Sequence, residues 1–243
     1  CTADRTEFLG AYGSPELPVA LFSAEELDAR SGAGLDPCAA FQVPLTLAPG
    51  ETAEVVFLLG EAEDEAAARA VLARYREAAS AEAALEEARA SWLDLVGRVQ
   101  VETPSPALDL MVNGWLAYQN LSCRIQGRSA LYQSGGAYGF RDQLQDAAAL
   151  VYLDPELTRR QIVLHAAHQF VEGDVLHWWH PPLSKGIRTR FSDDLLWLPY
   201  VAAFYLATTG DRSVLDEEAR FVTARPLEPG EDEAFLIPKD SGE

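Results

Sequence analysis

The hydrophobic pattern changes character twice along the chain. In the first sixty residues, short apolar runs alternate with turn formers such as GAYGSPELP, SGAGLDPC and LAPGET. Two of these runs, FQVPLTL at 41–47 and AEVVFLLG at 53–60, are rich in Val, Phe and Leu and bounded by Gly and Pro, which predicts strands at the end of a β-sheet unit. From 61 to 99 the chain reads EAEDEAAARAVLARYREAASAEAALEEARASWLDLVGRV, with Ala, Glu and Arg dominant and apolar residues at helical spacing. This predicts two helices with solvated charged faces. From Pro106 onward four helical patterns follow: PALDLMVNGWLAYQNLSCRIQGRS, DQLQDAAALVYL, PELTRRQIVLHAAHQFVEG and SDDLLWLPYVAAFYLATTGD. Long polar or glycine-rich connections separate them and no strand pattern is read among them. Helices alternating with loops point to a helical toroid whose loops at one end carry function. The closing TARPLEPGEDEAFLIPKDSGE is acidic and proline-rich and reads as a loop.

Composition narrows the class. A chain of 243 residues, 48% of them hydrophobic, can build a sizeable core. Nineteen basic residues against 38 acidic ones give a formal charge of -19, which disfavours nucleic acid and anionic membrane surfaces. An anionic ligand would have to be held by locally clustered cations. Cys1, Cys38 and Cys123 lie far apart without metal or redox spacing, as expected of reduced thiols in a cytosolic setting. No apolar run reaches the roughly 18 residues of a spanning helix and no leader pattern opens the chain, so the sequence reads as soluble. The first residue is Cys1 and not Met, from which we expect a piece of a longer polypeptide.

Candidate chemistry sits in two stretches. In SGGAYGFRDQLQD at 134–146, Gly135, Gly136 and Gly139 permit close backbone approach to a ligand, while Asp142 and Asp146 fall four apart on one helix face beside Arg141. These charges form either a network tying helices together or a clamp for vicinal sugar hydroxyls. The stretch EGDVLHWWHPPLSKGIRTRFSDDLLWLP at 172–199 carries far more than a chain reversal requires. Trp178 and Trp179 offer flat faces for a sugar ring, and Arg188 and Arg190 offer donors for an oxyanion. Ser192, Asp193 and Asp194 read equally as an N-cap with acids in a first helical turn. His165, His168, His177 and His180 lack the glutamate of a zinc-binding HExxH and are read as packed or hydrogen-bonded, so no metal is expected. Nucleophile-elbow, P-loop and dinucleotide-binding patterns are absent from the sequence.

The runs YQSGGAYGFRDQLQD at 132–146, HAAHQFVEGDVLHWWHPP at 165–182 and GIRTRFSDDLLWLP at 186–199 resemble the glycoside phosphorylases of the cellobiose phosphorylase family, glycoside hydrolase family 94. With TADRTEFLG at 2–10, LDPCAAFQVPLTLAPGE at 35–51 and VVFLLG at 55–60, the resemblance covers nearly the whole chain. It is strongest to the phosphorylase-like C-terminal region of cyclic β-1,2-glucan synthases.

The resemblance implies a multidomain α+β chain. Residues 1–60 would end a β-sandwich, 61–104 form a helical linker, and 105–243 form the first part of an (α/α)6 barrel. It implies inverting phosphorolysis of a β-glucoside without a cofactor, with inorganic phosphate as co-substrate and a β-glucan oligosaccharide, β-1,2-linked, as the other partner. On matching motifs Arg141 and Asp146, with Asp142 nearby, would hold the glucosyl unit, and Arg190, with Arg188 as the second choice, would face phosphate. Asp193 and Asp194 would stand in the same wall. The family's general acid lies in a Gly-Asp-Trp-Asn-Asp type motif that these 243 residues do not contain, so the catalytic acid is expected downstream, in a missing remainder of the polypeptide. A homodimer of the full-length form and a cytoplasmic place, or the cytoplasmic side of a larger membrane-associated synthase, complete the expectation. The alternatives are a non-catalytic carbohydrate-binding module and an inverting (α/α)6 glycosidase.

Overall fold

The computed structural model describes residues 1–23, 25–129 and 134–242. Tyr132 and Gln133, which open the first family-like motif, lie outside the described residues, as does Glu243. The chain divides into two compact units, Cys1–Glu82 and Ala83–Glu243.

In the first unit, strand β1 (Thr2–Asp4) pairs antiparallel with β2 (Pro37–Ala40), with a register irregularity between Thr2 and Asp4. Helix α1 (Arg5–Leu9) follows β1 directly because Asp4 caps it, its carboxylate accepting from the Thr6 amide at 3.0 Å. Arg30 binds this corner through Asp4 at 3.6 Å, Glu7 at 3.8 Å and Asp28 at 3.1 Å. The strands expected at 41–47 and 53–60 are not formed; both runs are irregular in the structure. They do meet, with the Phe41 and Phe57 rings 6.3 Å apart, but Phe41, Val43, Leu45 and Leu47 remain exposed. An apolar pattern states which face wants burial; a strand exists only when a neighbouring backbone completes its ladder. Helix α2 (Glu65–Tyr75) begins at Asp64, whose carboxylate accepts from the Ala67 amide at 2.8 Å, and no residue of it is buried.

The division between the units falls within helix α3 (Ala78–Gly97), also without a buried residue. The two helices expected over 61–99 are therefore present, with their charged faces in solvent.

The second unit opens with a continuous helical run in which α4 (Pro106–Leu110) and α5 (Leu116–Gln119) alternate with π-helical turns at Met111–Trp115 and Asn120–Gln126. Helices α6 (Phe140–Leu150), α7 (Pro155–Ala166) and α8 (Asp194–Thr209) account for the three remaining helical patterns. Helix α7 starts with Pro155 in its first turn behind the Asp154 cap, and α8 stops at Gly210, which takes a left-handed φ of 73°. The expected helix 155–173 ends early, at Ala166, because Leu176 turns back to donate to His168 O and the chain enters a sheet.

That sheet corrects the strand-free expectation. Strands β3 (Tyr138–Gly139), β4 (Leu176–His180) and β5 (Lys185–Thr189) are joined by one further strand from the supposed terminal loop. Of the short strands β6 (Val222–Thr223), β7 (Glu233–Leu236) and β8 (Lys239–Asp240), β7 adds to β5, giving the order β3-β4-β5-β7, and β6 pairs with β8. Gly186 makes the β4–β5 hairpin possible, since a Cβ there would come within 2.0 Å of the Trp178 carbonyl oxygen. Helices and sheet share one core: Phe140, Leu144, Phe170, Leu176, Trp179 and Val201 are each almost wholly removed from solvent.

Candidate functional site

Three short segments of the second unit converge. β3 leads into α6 through Gly139, where an added Cβ would lie 2.7 Å from Asp142 Oδ2, so the Asp142 carboxylate folds back over the turn. The Gly139 amide donates to Gln143 Oε1, which anchors the start of the helix. This places Arg141 and Asp142 in the first turn of α6. α8 begins with Asp193 and Asp194, and Asp193 caps no amide with its side chain. Instead Arg141 Nη1 donates to Asp193 Oδ2 at 2.9 Å, and Arg141 Nε lies 3.9 Å from Asp142 Oδ1. Arg141 is held above its ordinary pKa, first by the Asp193 bond, with Asp142 and Asp194 adding to it. The Asp193 carboxyl is correspondingly drawn down, chiefly by Arg141. Both side chains remain accessible, at 42% and 47%.

Asp194 is the counterpart inside the wall. It is 2% exposed, and its Oδ2 accepts from the ring of His177 on β4 at 2.7 Å. His177 is missing from the residues singled out for ligand contact. Its neighbour Phe191 lies against it with ring centroids 4.8 Å apart. Alternation along LHWWH gave no signal for His177, since the strand buries Leu176 and Trp179 and its register is irregular between Leu176 and Trp178.

Asp146 stands further along α6, paired with Arg124 at 2.7 Å. Burial pushes its carboxyl up, against the pull of Arg124. Asp146 and Arg124 also line a cavity of about 790 Å³ whose other walls include Leu116, Cys123, Leu150 and Tyr152. Arg124 is thus a second charged partner that the sequence reading did not single out.

Two expected ligand residues are otherwise occupied. Trp179 is 1% exposed, with Tyr138 stacked on one ring contact at 5.4 Å and His168 on another at 4.0 Å. A ring enclosed in this way is a core residue and offers no platform to a sugar. Trp178 keeps partial access, bordered by His180 and Phe235. Arg188 is 2% exposed and lies 3.9 Å over the Phe170 ring. Its guanidinium binds Asp174 at 2.5 and 2.7 Å and Glu172 at 3.1 Å, and also donates to the carbonyls of Ala224 and Arg225. Every donor nitrogen is used, so Arg188 braces the hairpin and is not available to phosphate. Arg190 is exposed; its Nε and Nη2 donate to the carbonyls of Glu231, Leu227 and Glu228.

Of the histidines read against a zinc site, His165 and His168 are buried and each donates from Nδ1 to a backbone carbonyl one turn back, Gln161 and Leu164. Among the described residues no group of three His, Cys, Asp or Glu is placed to hold a metal ion. Nor, among them, is any helix long and apolar enough to cross a membrane.

The wall of α6, β4 and α8 falls inside a match to the glycosyl hydrolase 94 superfamily catalytic domain, which covers residues 91–240. The chain belongs to glycoside hydrolase family 94. Residues 1–78 match the supersandwich domain of the same family. Over 98% of its length the chain is 47% identical to the cyclic β-(1,2)-glucan synthase NdvB of Rhizobium meliloti (strain 1021), of which it spans 8%. It is 28% identical to the N,N'-diacetylchitobiose phosphorylase of Vibrio proteolyticus, with 88% of this chain and 30% of that protein covered. The solabiose phosphorylase of Paenibacillus borealis is 27% identical, over 90% of this chain and 27% of its own. The chain thus spans about a third or less of the relatives it matches. In this family 94 chain the supersandwich match precedes the catalytic match.

Proposed function

We propose that this chain supplies the sugar-side wall of an inverting β-glucoside phosphorylase or of the equivalent region of a cyclic β-1,2-glucan synthase, acting on β-1,2-linked glucan. The observation that carries this is the accessible Arg141–Asp193 pair, set beside Asp142 and the buried Asp194. A guanidinium that donates and carboxylates that accept, fixed at two helix starts, match the alternating needs of vicinal hydroxyls. Identity to a cyclic β-(1,2)-glucan synthase supports the linkage.

In this reading Arg141, Asp142 and Asp193 orient the terminal glucosyl unit, Asp146 supports it from the next turn of α6, and the partly open Trp178 meets its apolar face. Arg190, whose Nη1 makes no hydrogen bond among the described residues, faces phosphate. A phosphate oxygen attacks the anomeric carbon as the glycosidic C–O bond breaks. A carboxylic acid protonates the departing sugar oxygen, and α-glucose 1-phosphate leaves with inverted configuration. Phosphate occupies the place of the base-activated water of an inverting hydrolase, so no second carboxylate is required. The acid belongs to sequence beyond these residues, and the barrel that 105–243 begin would be closed by the same polypeptide. A cytoplasmic location, or the cytoplasmic face of a membrane-bound synthase, fits a product that carries phosphate.

A carbohydrate-binding module is the second reading, favoured by the lack of a Gly-Asp-Trp-Asn-Asp type motif in these 243 residues. Expression of the longest reading frame that encodes the chain separates the two. Release of glucose 1-phosphate from β-1,2-glucooligosaccharide, dependent on phosphate, supports the phosphorylase. Sugar binding without turnover supports the module, and phosphate-independent release of glucose supports a glycosidase.

A further inference from the structure

The His177–Asp194 pair has a geometry that core packing alone does not require. Asp194 is 2% exposed at the start of α8, and a buried carboxylate is costly unless its oxygens are satisfied. One oxygen is satisfied by His177 Nδ1 at 2.7 Å, whereas Oδ1 has no hydrogen-bond partner. The pair therefore keeps a carboxylate inside the wall for the sake of one ring. Donation from Nδ1–H to the carboxylate fixes where the ring proton sits and leaves Nε2 as the lone-pair nitrogen, the arrangement by which a carboxylate orients a histidine toward a third group. His177 Nε2 makes no hydrogen bond among the described residues, and the side chain is 29% exposed.

What surrounds this nitrogen selects its ligand. Asp194 is bonded to this ring and Asp193 precedes it in the chain, Asp142 lies at the same wall, and Arg141 is within electrostatic reach of both Asp193 and Asp194 and is already paired. A phosphate placed here would meet carboxylates on several sides. A neutral polyol would not, and the Phe191 ring 4.8 Å from the imidazole supplies the apolar border that sugar C–H groups favour.

We propose that His177 is a sugar-contacting residue that accepts a hydrogen bond from a ligand hydroxyl at Nε2, and that Asp194 is the positioning residue that holds its tautomer and orientation. The proposal rests on the reading of this wall as the glucosyl side of the site. It adds a neutral acceptor to a wall otherwise recognised by charge, and so makes the site sensitive to the presence of a particular hydroxyl and not only to polarity.

The test is titration calorimetry of the protein expressed from the longest reading frame that encodes the chain, with β-1,2-glucooligosaccharide and, separately, inorganic phosphate. His177→Ala should weaken sugar binding roughly 3- to 10-fold, the range of one neutral hydrogen bond, and leave phosphate binding within twofold. His177→Gln, whose amide reaches the position of Nε2, should recover part of the loss, and Asp194→Asn should fall between His177→Ala and the parent. In the parent, the ¹⁵N resonance of His177 Nε2 should move on addition of sugar and not on addition of phosphate. Sugar affinity unchanged in His177→Ala, or a loss confined to phosphate, overturns the proposal while leaving the glucosyl wall intact. A parent protein that binds phosphate but no sugar overturns the reading of the wall and this proposal with it. Equal losses in His177→Ala and His177→Gln with a still ring resonance would show a packing role and also overturn it.

Discussion

Arg141 and Asp193 are 52 residues apart in the chain and 2.9 Å apart in space, and their bond joins the first turn of α6 to the residue preceding α8. Both side chains stay open to solvent, so the pair is available to a ligand as well as to itself. An exposed ion pair of this kind adds at most about 1 kcal/mol to folding. Arg141→Ala should accordingly change thermal stability little. In the longest natural form of the protein it should lower catalytic efficiency toward β-1,2-glucooligosaccharide roughly 10- to 150-fold, the worth of a charge-assisted hydrogen bond, with the phosphate saturation curve unchanged. Paired saturation curves check this; an effect on phosphate alone would reassign Arg141.

Arg188 should behave in the opposite way. Its guanidinium is enclosed by Asp174, Glu172, two carbonyls and the Phe170 ring, so Arg188→Ala leaves carboxylates without their partner and a gap beneath the hairpin. We expect a loss of about 3–5 kcal/mol of stability, read as a lower denaturation midpoint in urea. Unaltered stability together with a raised Michaelis constant for phosphate would show that Arg188 faces the ligand after all.

Stability should also fall as the solution is acidified. His165 is wholly buried, and desolvation lowers its pKa from 6.5 to about 4 despite the Gln161 carbonyl, with His168 adding to the depression. Below pH 6.5 the unfolded chain takes up a proton that the folded chain refuses until about pH 4. The stability present above 6.5 is therefore lost progressively toward 4, by roughly 3 kcal/mol for this one group. His168, lowered in the same direction by burial, steepens the slope. Chemical denaturation across that range in the parent and in His165→Gln measures it: the variant should show a shallower dependence, relative to its own value at neutral pH.

The 243-residue chain alone should show no phosphorolysis above the uncatalysed rate, since it lacks the acid motif and an unassisted leaving group forgoes the roughly 10²–10⁴-fold that a positioned acid provides. Incubation of purified chain with β-1,2-glucooligosaccharide and phosphate, followed by assay of glucose 1-phosphate, decides the matter. Turnover would place the acid among the carboxylates described above.

The helices were legible in the sequence because their causes are local. Asp64 and Asp154 as caps, Pro106 and Pro155 in first turns, Gly210 at a left-handed stop and apolar residues at helical spacing all act within one or two turns of chain. The motifs around Arg141 and Asp193 were legible too, because residue type and spacing survive without coordinates. Strand pairing was not. The runs at 41–47 and 53–60 look like strands and find no ladder, whereas LHWWH, KGIRT and EAFL look like loop and form one, since a ladder depends on which backbone lies alongside. The same limit governed the division of labour among neighbours. Trp178 and Trp179 are adjacent and chemically alike, yet the pleat encloses one and leaves the other partly open; Arg188 and Arg190 are alike too, but Arg188 lies within β5 and is buried whereas Arg190 lies past the strand's end and is exposed. Composition by itself determined that this chain has aromatic rings and cations to present. Only the register of β4 and β5 against their neighbours decided that Trp179 is enclosed by Tyr138 and His168, that Arg188 is spent on Asp174, and that His177 is left facing outward on a buried aspartate.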